Sequence, residues 1–210
     1  MVIRAYPQIP GVRRSPVFQN RMIILASGSP RRAELLGRLY KEFAVIVPHV
    51  SELRYADDAA LLVEMNARLK SGAVSRDHVV DLVIGADTVI EYKGRILGKP
   101  ENLESAAAML LSLSGAEHRV LSGVCVRKCG SMRSWSEVTR VRFRRFGLAT
   151  VRRYLELVPV LDKAGGYGIQ EHGELLVESI SGDLNNVIGL PLSSLSYHIQ
   201  ELDYSLKALK

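Results

Sequence analysis

Short continuous apolar runs alternate along the chain with segments in which apolar residues recur every three or four positions, the spacings of strands and of helices respectively. Met22 to Ala26 reads as a strand and leads into a helix from Pro30 to about Leu39, whose apolar face is Leu35, Leu36 and Leu39. A strand at Phe43 to Val47, a helix from about Ala59 to Ala73 and an apolar strand at Leu82 to Ala86 follow. A hairpin is expected at Val89 to Tyr92 and Arg95 to Leu97 around Lys93-Gly94, then a helix from Leu103 to Leu113, capped by Asn102 and stopped by Gly115. Two long strands, His118 to Lys128 and Ser134 to Arg145, flank a turn at Gly130-Ser131. A helix at Leu148 to Val158, a strand at Leu175 to Ile180 and a helix at Pro191 to Leu202 complete the pattern. Helices and strands mixed in this way predict an α/β fold with a mixed sheet.

The first 21 residues differ in kind. Pro7, Pro10 and Pro16 interrupt them and no helical apolar period runs through them, so an irregular arm is expected at 1–21, a main domain at 22–203 and a tail at 204–210. The arm carries Arg4, Arg13, Arg14 and Arg21 and no acid, which leaves a net charge of only +2 on the other 189 residues. The basic balance therefore argues little for nucleic acid, because the body of the chain is nearly neutral. Met22, directly before the first apolar run, is an expected alternative start; an organellar targeting peptide is the minority reading of the arm, which has too many prolines for an amphipathic helix. No apolar run approaches the roughly 20 residues of a membrane span. Cys125 and Cys129 have no second pair to complete a zinc site or a disulfide framework, and His49, His78, His118, His172 and His198 show no metal spacing. A reducing, cytoplasmic setting fits these counts.

Four segments carry candidate chemistry. In Leu25-Ala-Ser27-Gly-Ser29-Pro-Arg31-Arg32, a strand gives way to a small-residue loop and a helix start, with Ser29 as the expected N-cap and Pro30 as the first helical residue. Two arginines in a first turn oppose the positive end of the helix dipole unless an anion is shared there. Ser27, Ser29, Arg31 and Arg32 would together cradle a polyphosphate; the plainer reading is a capped surface helix with solvated arginines. In Ile84-Gly-Ala-Asp87-Thr88 a carboxylate ends an apolar strand, as a metal ligand, a buried paired acid or a turn residue. Lys99, in Gly98-Lys99-Pro100, lies outside any Walker loop and reads equally as a phosphate ligand or a surface lysine. In Asp162-Lys-Ala-Gly-Gly-Tyr167-Gly-Ile-Gln170, glycines permit close backbone approach and Gln170 offers donor and acceptor to a base edge; the alternative is a tight turn with Tyr167 in the core. Arg140, Arg142 and Arg144 alternate with Val141 and Phe143 and read as a solvated strand face.

These segments, with Leu113-Ser-Gly115 and Gly189-Leu-Pro191, resemble in order and spacing the signatures of the Maf family of nucleoside triphosphate pyrophosphatases, over residues 22 to 203. The resemblance implies an elongated mixed sheet with flanking helices and two lobes around a cleft, related to inosine triphosphate pyrophosphatases and often homodimeric. It implies hydrolysis of a nucleoside triphosphate between the α- and β-phosphates, with a divalent cation, Mg²⁺ or Mn²⁺. By position, Ser27, Arg31 and Arg32 would hold phosphates, with Ser29 beside them from the loop pattern, Lys70 and Lys99 would neutralise charge, Glu52 and Asp87 would orient metal or water, and Gln170 would complete the site. The Ala-Gly-x-Tyr-Gly-Ile-Gln segment resembles the branch acting on dTTP, UTP and modified pyrimidine nucleotides. Ser51 stands where the family commonly has the first of two acids, Ser71 where alanine is usual, and Leu184-Asn185-Asn186 where tyrosine is frequent. The alternatives are the 7-methyl-GTP branch of the family and a nucleotide- or nucleic-acid-binding regulator of division without turnover.

Overall fold

The computed structural model describes residues 2–5 and 22–208. Among the described residues, eight strands, β1 (Val2–Ala5), β2 (Ile23–Ala26), β3 (Glu42–Val45), β4 (Leu82–Tyr92), β5 (Arg95–Leu97), β6 (Glu117–Lys128), β7 (Ser131–Phe143) and β8 (Val177–Ser181), pair in the order β1-β3-β2-β4-β6-β7-β8, with β5 on β4. β2 pairs in parallel with both β3 and β4, whereas β1, β5 and β8 pair antiparallel with their neighbours, so the sheet is mixed as expected. The helices are α1 (Pro30–Leu39), α2 (Ala59–Ser75), α3 (Leu103–Leu113), α4 (Leu148–Leu157), α5 (Leu184–Ile188) and α6 (Leu192–Ala208). None of them is long and apolar enough to cross a membrane.

Several boundaries differ from the sequence reading, each for a local reason. Val2–Ala5, within the expected irregular arm, pairs with β3; residues 6–21 lie outside the described residues. The strand at 82 and the first hairpin arm are one continuous strand, β4, closed by Lys93 (φ 51°) and Gly94 (φ 73°). The turn between β6 and β7 is Cys129-Gly130, not Gly130-Ser131: both residues have positive φ (49° and 79°), as a type I′ hairpin turn requires. A 3₁₀ turn at Gly173–Leu175 delays β8 to Val177. α6 continues to Ala208, so most of the expected tail is its last turns. α5 was not foreseen; Asn186 anchors it by donating to the Val120 carbonyl at 3.1 Å and the Thr139 hydroxyl at 3.0 Å.

The chain forms two compact units. The first contains residues 1–87, 123–136 and 189–210. β2 is buried along its length, and α2 lays the stripe Ala59, Leu62, Val63, Asn66, Ala67, Lys70, Ser71 and Val74 inward at helical spacing. Two glycines admit that helix. A Cβ on Gly85 would stand 2.5 Å from the Ala67 carbonyl oxygen, and one on Gly123 would stand 2.2 Å from the Val63 carbonyl carbon. Backbone meets backbone at both places, so neither clash is relieved by a rotamer change.

The second unit contains residues 88–122 and 137–188. Its core gathers Leu110, Leu113, Val120, Val141, Phe143, Val151, Tyr154 and Tyr167. α3 starts with a reciprocal cap in which Asn102 and Ser105 satisfy each other's backbone N–H groups. Buried His118 meets Phe143 and Tyr167 edge-on, with ring centroids at 4.8 and 5.5 Å, and its Nε2 lies 2.7 Å from the Tyr167 hydroxyl. Burial pushes its pKa down from 6.5 to about 4.

Two outcomes follow from this packing. Gly123→Ala is expected to lower the free energy of unfolding by about 3 kcal/mol and the melting temperature by roughly 6–12 °C, read by thermal denaturation against wild type; a melt within 2 °C of wild type would mean that α2 does not sit on Gly123. His118 stays neutral in the fold down to about pH 4 while the unfolded chain takes up a proton below 6.5, so the contribution is full above pH 6.5 and lost as pH falls toward 4. Urea titrations of wild type and His118→Gln at pH 7 and pH 4 should show wild type losing about 3 kcal/mol more than the variant. Parallel losses would refute it.

Candidate active site

Parallel pairing of β2 with β4 sets Ala26 opposite Gly85, so the next residues, Ser27 and Ala86, come side by side and Asp87 lies one step beyond. β2 ends at Ala26 while β4 runs on to Tyr92, so Asp87 does not end a strand as the sequence suggested but lies within β4, just past the end of its parallel partner. α1 begins there, with Arg31 and Arg32 and no acid in its first turn. Ser29 occupies the expected N-cap position, but its hydroxyl makes no capping bond; instead its N–H donates to Ser27 Oγ at 3.2 Å. Ser27 Oγ also accepts from Arg32 Nη1 at 3.2 Å, and Arg32 Nε donates to the Gly189 carbonyl at 2.9 Å. Two bonds from different edges fix the plane of that guanidinium. Burial pushes the Arg32 pKa down, the Asp87 and Glu52 carboxylates push it up, and Arg31 pushes it down. Arg32 therefore lies in the field of both acids.

α2 supplies the cation between those acids. Lys70 Nζ lies 2.8 Å from Asp87 Oδ1 and 3.1 Å from Glu52 Oε1. The Lys70 and Asp87 side chains are only 9% and 10% exposed, whereas Glu52 is 52% exposed on the segment that precedes α2. The other Asp87 oxygen, Oδ2, accepts from Asn66 Nδ2 at 3.0 Å. An ammonium and an amide thus hold one carboxylate from its two sides, one turn apart on α2.

Seven of the nine residues expected from the sequence, Ser27, Ser29, Arg31, Arg32, Glu52, Lys70 and Asp87, belong to this first unit. Lys99 and Gln170 belong to the second, and both are exposed. Their segments meet there: the Gly165 N–H donates to the Gly98 carbonyl at 2.9 Å. Gly165 and Gly166 have φ of 67° and 74°, Tyr167 is buried against His118, and the Tyr154 hydroxyl bridges the Gly168 carbonyl (3.2 Å) and N–H (3.0 Å). Tyr167 is thus a core residue, whereas Gln170 lies exposed three residues beyond it.

Sequence reasoning missed Asn66 and the Gly189 carbonyl. Asn66 had a signal, since it and Lys70 are polar positions in the inward stripe of α2, where leucine or alanine would be ordinary. Gly189 lies in a segment that carries the family resemblance, but its role as an acceptor had no signal, because a backbone carbonyl leaves no mark in side-chain pattern. Among the described residues no three His, Cys, Asp or Glu side chains gather as a metal cluster; the carboxylates of this site are a pair.

Removing the cation should expose how much the pair depends on it. Lys70→Met leaves Asp87 as a buried charge without its counter-ion and is expected to destabilise the fold by about 3 kcal/mol in urea unfolding at pH 7. A loss below about 1 kcal/mol, the range of an exposed pair, would count against this pairing.

Comparison with known proteins gives one family and one fold. The family described as Maf-like protein matches residues 22–202. A relative from Akkermansia muciniphila, named dTTP/UTP pyrophosphatase, is 44% identical over 183 residues, 87% of this chain and 97% of the relative. One from Thermococcus onnurineus with the same name is 42% identical over 185 residues, covering 88% of this chain and all of the relative. Among solved structures, the Staphylococcus aureus Ham1 protein superposes with a TM-score of 0.50 at 17% identity, over 86% of this chain and 99% of that one, a likeness of fold.

Proposed function

The chain belongs to the Maf family, and from that premise we propose that it is a nucleoside triphosphate pyrophosphatase acting on dTTP, UTP and modified pyrimidine nucleotides, which it splits into the monophosphate and pyrophosphate. The observation that carries this reading is the meeting in one unit of an arginine-bearing helix start with two carboxylates that converge on a lysine. The pyrimidine preference is supported by the names of the relatives.

A triphosphate is a polyanion, and the helix start with Ser27, Ser29, Arg31 and Arg32 answers it with N–H groups, hydroxyls and guanidinium forks. Hydrolysis adds a water oxygen to phosphorus and breaks the bond to the pyrophosphate oxygen, while the water proton passes to a carboxylate. Asp87 is held in place to orient that water, Glu52 stands across Lys70 from it, and the Lys70 ammonium neutralises charge that grows on the departing oxygens. The same oxygens suit a divalent cation. They are hard donors, and both already lie within about 3 Å of one positive centre, the Lys70 nitrogen. Asp87 and Glu52 would hold Mg²⁺ or Mn²⁺, which when bound supplies further charge neutralisation on the phosphate oxygens. A homodimer and a cytoplasmic setting accompany this reading.

The test is a panel of dTTP, UTP, dCTP, GTP and 7-methyl-GTP with Mg²⁺, Mn²⁺ or chelator, with products resolved. Pyrophosphate and monophosphate from dTTP and UTP, lost with chelator, are expected. Asp87→Asn should lower kcat at least about a hundredfold while the variant still melts cooperatively. Preference for 7-methyl-GTP would move the chain to the other branch. Nucleotide binding without turnover would favour the non-catalytic regulator.

A further inference from the structure

Glu52 stands on a segment without regular structure between β3 and α2, and half its side chain faces solvent. A glutamate in that setting ordinarily samples several rotamers, and ordering it has an entropic cost. The residue next to it is held by a side chain. The Leu53 N–H donates to Asn66 Oδ1 at 2.8 Å, and the Leu53 carbonyl accepts from Asn66 Nδ2 at 3.0 Å. Asn66 Nδ2 also donates to Asp87 Oδ2 at 3.0 Å, so both amide hydrogens and the amide oxygen are engaged. One amide, only 2% exposed, is therefore joined to Asp87 directly and to Glu52 through a single residue of backbone. Lys70, one turn along α2, ties the same two acids from the other side. Asparagine is a poor helix-interior residue and is unfavourable to bury unless its polar atoms are satisfied, so its place in this apolar stripe is accounted for by these three bonds.

We propose that Asn66 is a positioning residue of the hydrolytic site, fastening the Glu52 segment onto Asp87 so that the two carboxylates face one cation as a preset pair. The proposal rests on the hydrolytic reading of Asp87 and Glu52 above. Groups that orient ligating or catalytic side chains typically affect metal affinity or activity by about 10- to 100-fold. Ser27 and Arg32 do not touch Asn66 in any of these bonds, so nucleotide binding should persist while turnover falls.

The experiment compares wild type with Asn66→Leu, which keeps size and removes the amide, and with Asn66→Ala. Three readouts are taken: exchange of the Leu53 amide hydrogen, affinity for Mn²⁺ alone by electron paramagnetic resonance, and kcat and KM for dTTP. The expected result is Leu53 exchange and Mn²⁺ dissociation constants each raised about tenfold, and kcat lowered about 10- to 100-fold with KM within about threefold of wild type. Unchanged kcat and Mn²⁺ affinity in a folded variant would overturn the proposal, as would kcat and KM moving together. If wild type hydrolyses no nucleotide, the pyrophosphatase reading fails separately; Mn²⁺ affinity and Leu53 exchange still decide whether Asn66 presets the acids. If neither variant folds, wild type decides: a Leu53 amide no better protected than those of Arg54 and Tyr55 overturns the proposal, and strong protection of Leu53 alone supports it.

Discussion

Close approach of α2 to the sheet is the constraint from which the site follows. Gly85 and Gly123 remove the two side chains that would hold the helix away, and Ala67, Ser71, Val63 and Glu64 take up the space. At that distance the polar residues of the inward stripe reach the middle of β4, so Asn66 and Lys70 both bond the Asp87 carboxylate. Moved outward by a methyl group's width, the same helix would leave a buried aspartate unpaired, which a protein interior tolerates poorly. Packing and chemistry therefore depend on the same two glycines.

Electrostatic balance in the first unit is local. Two carboxylates share Lys70, and Arg31 and Arg32 crowd the positive end of α1. Arg32 feels both acids, which favour its charge against the cost of burial. Such an arrangement is costly in a free surface helix and becomes favourable when an anion sits at the helix start, consistent with the proposed polyphosphate substrate. Fixing Arg32 through Ser27 and the Gly189 carbonyl also reduces the entropy to be lost on binding.

The second unit solves a different problem. Its glycine-rich turn needs φ values that only glycine adopts without strain, yet the residues around it must hold the backbone still. Tyr167 and Tyr154 do this with buried rings whose hydroxyls are satisfied by His118 and by the Gly168 backbone. The histidine is neutral over the physiological range because desolvation disfavours its cation.

Period and punctuation alone located nearly every element, because burial of one face imposes the spacing, and caps such as Asn102 are local. The mixed α/β class was legible in the same way, and so were Ser27, Ser29, Arg31, Arg32 and Asp87 as candidates, since a strand ending in small residues before Pro30-Arg31-Arg32 carries its geometry within ten positions; Glu52 and Lys70 came only from the family resemblance. The second hairpin turn was harder: Cys129 takes a positive φ that its residue type does not announce, and α5 is held by the bonds of Asn186 rather than by its own propensity. Asn66 joins Leu53, thirteen residues away, to Asp87, twenty-one residues away, and Arg32 finds a carbonyl 157 residues downstream. Sequence determined which residues could bear charge and which face of each element would be apolar. Only the tertiary structure decided which charges share a cation, because that depends on the distance between a helix and a sheet, and two glycines far apart in the chain set it.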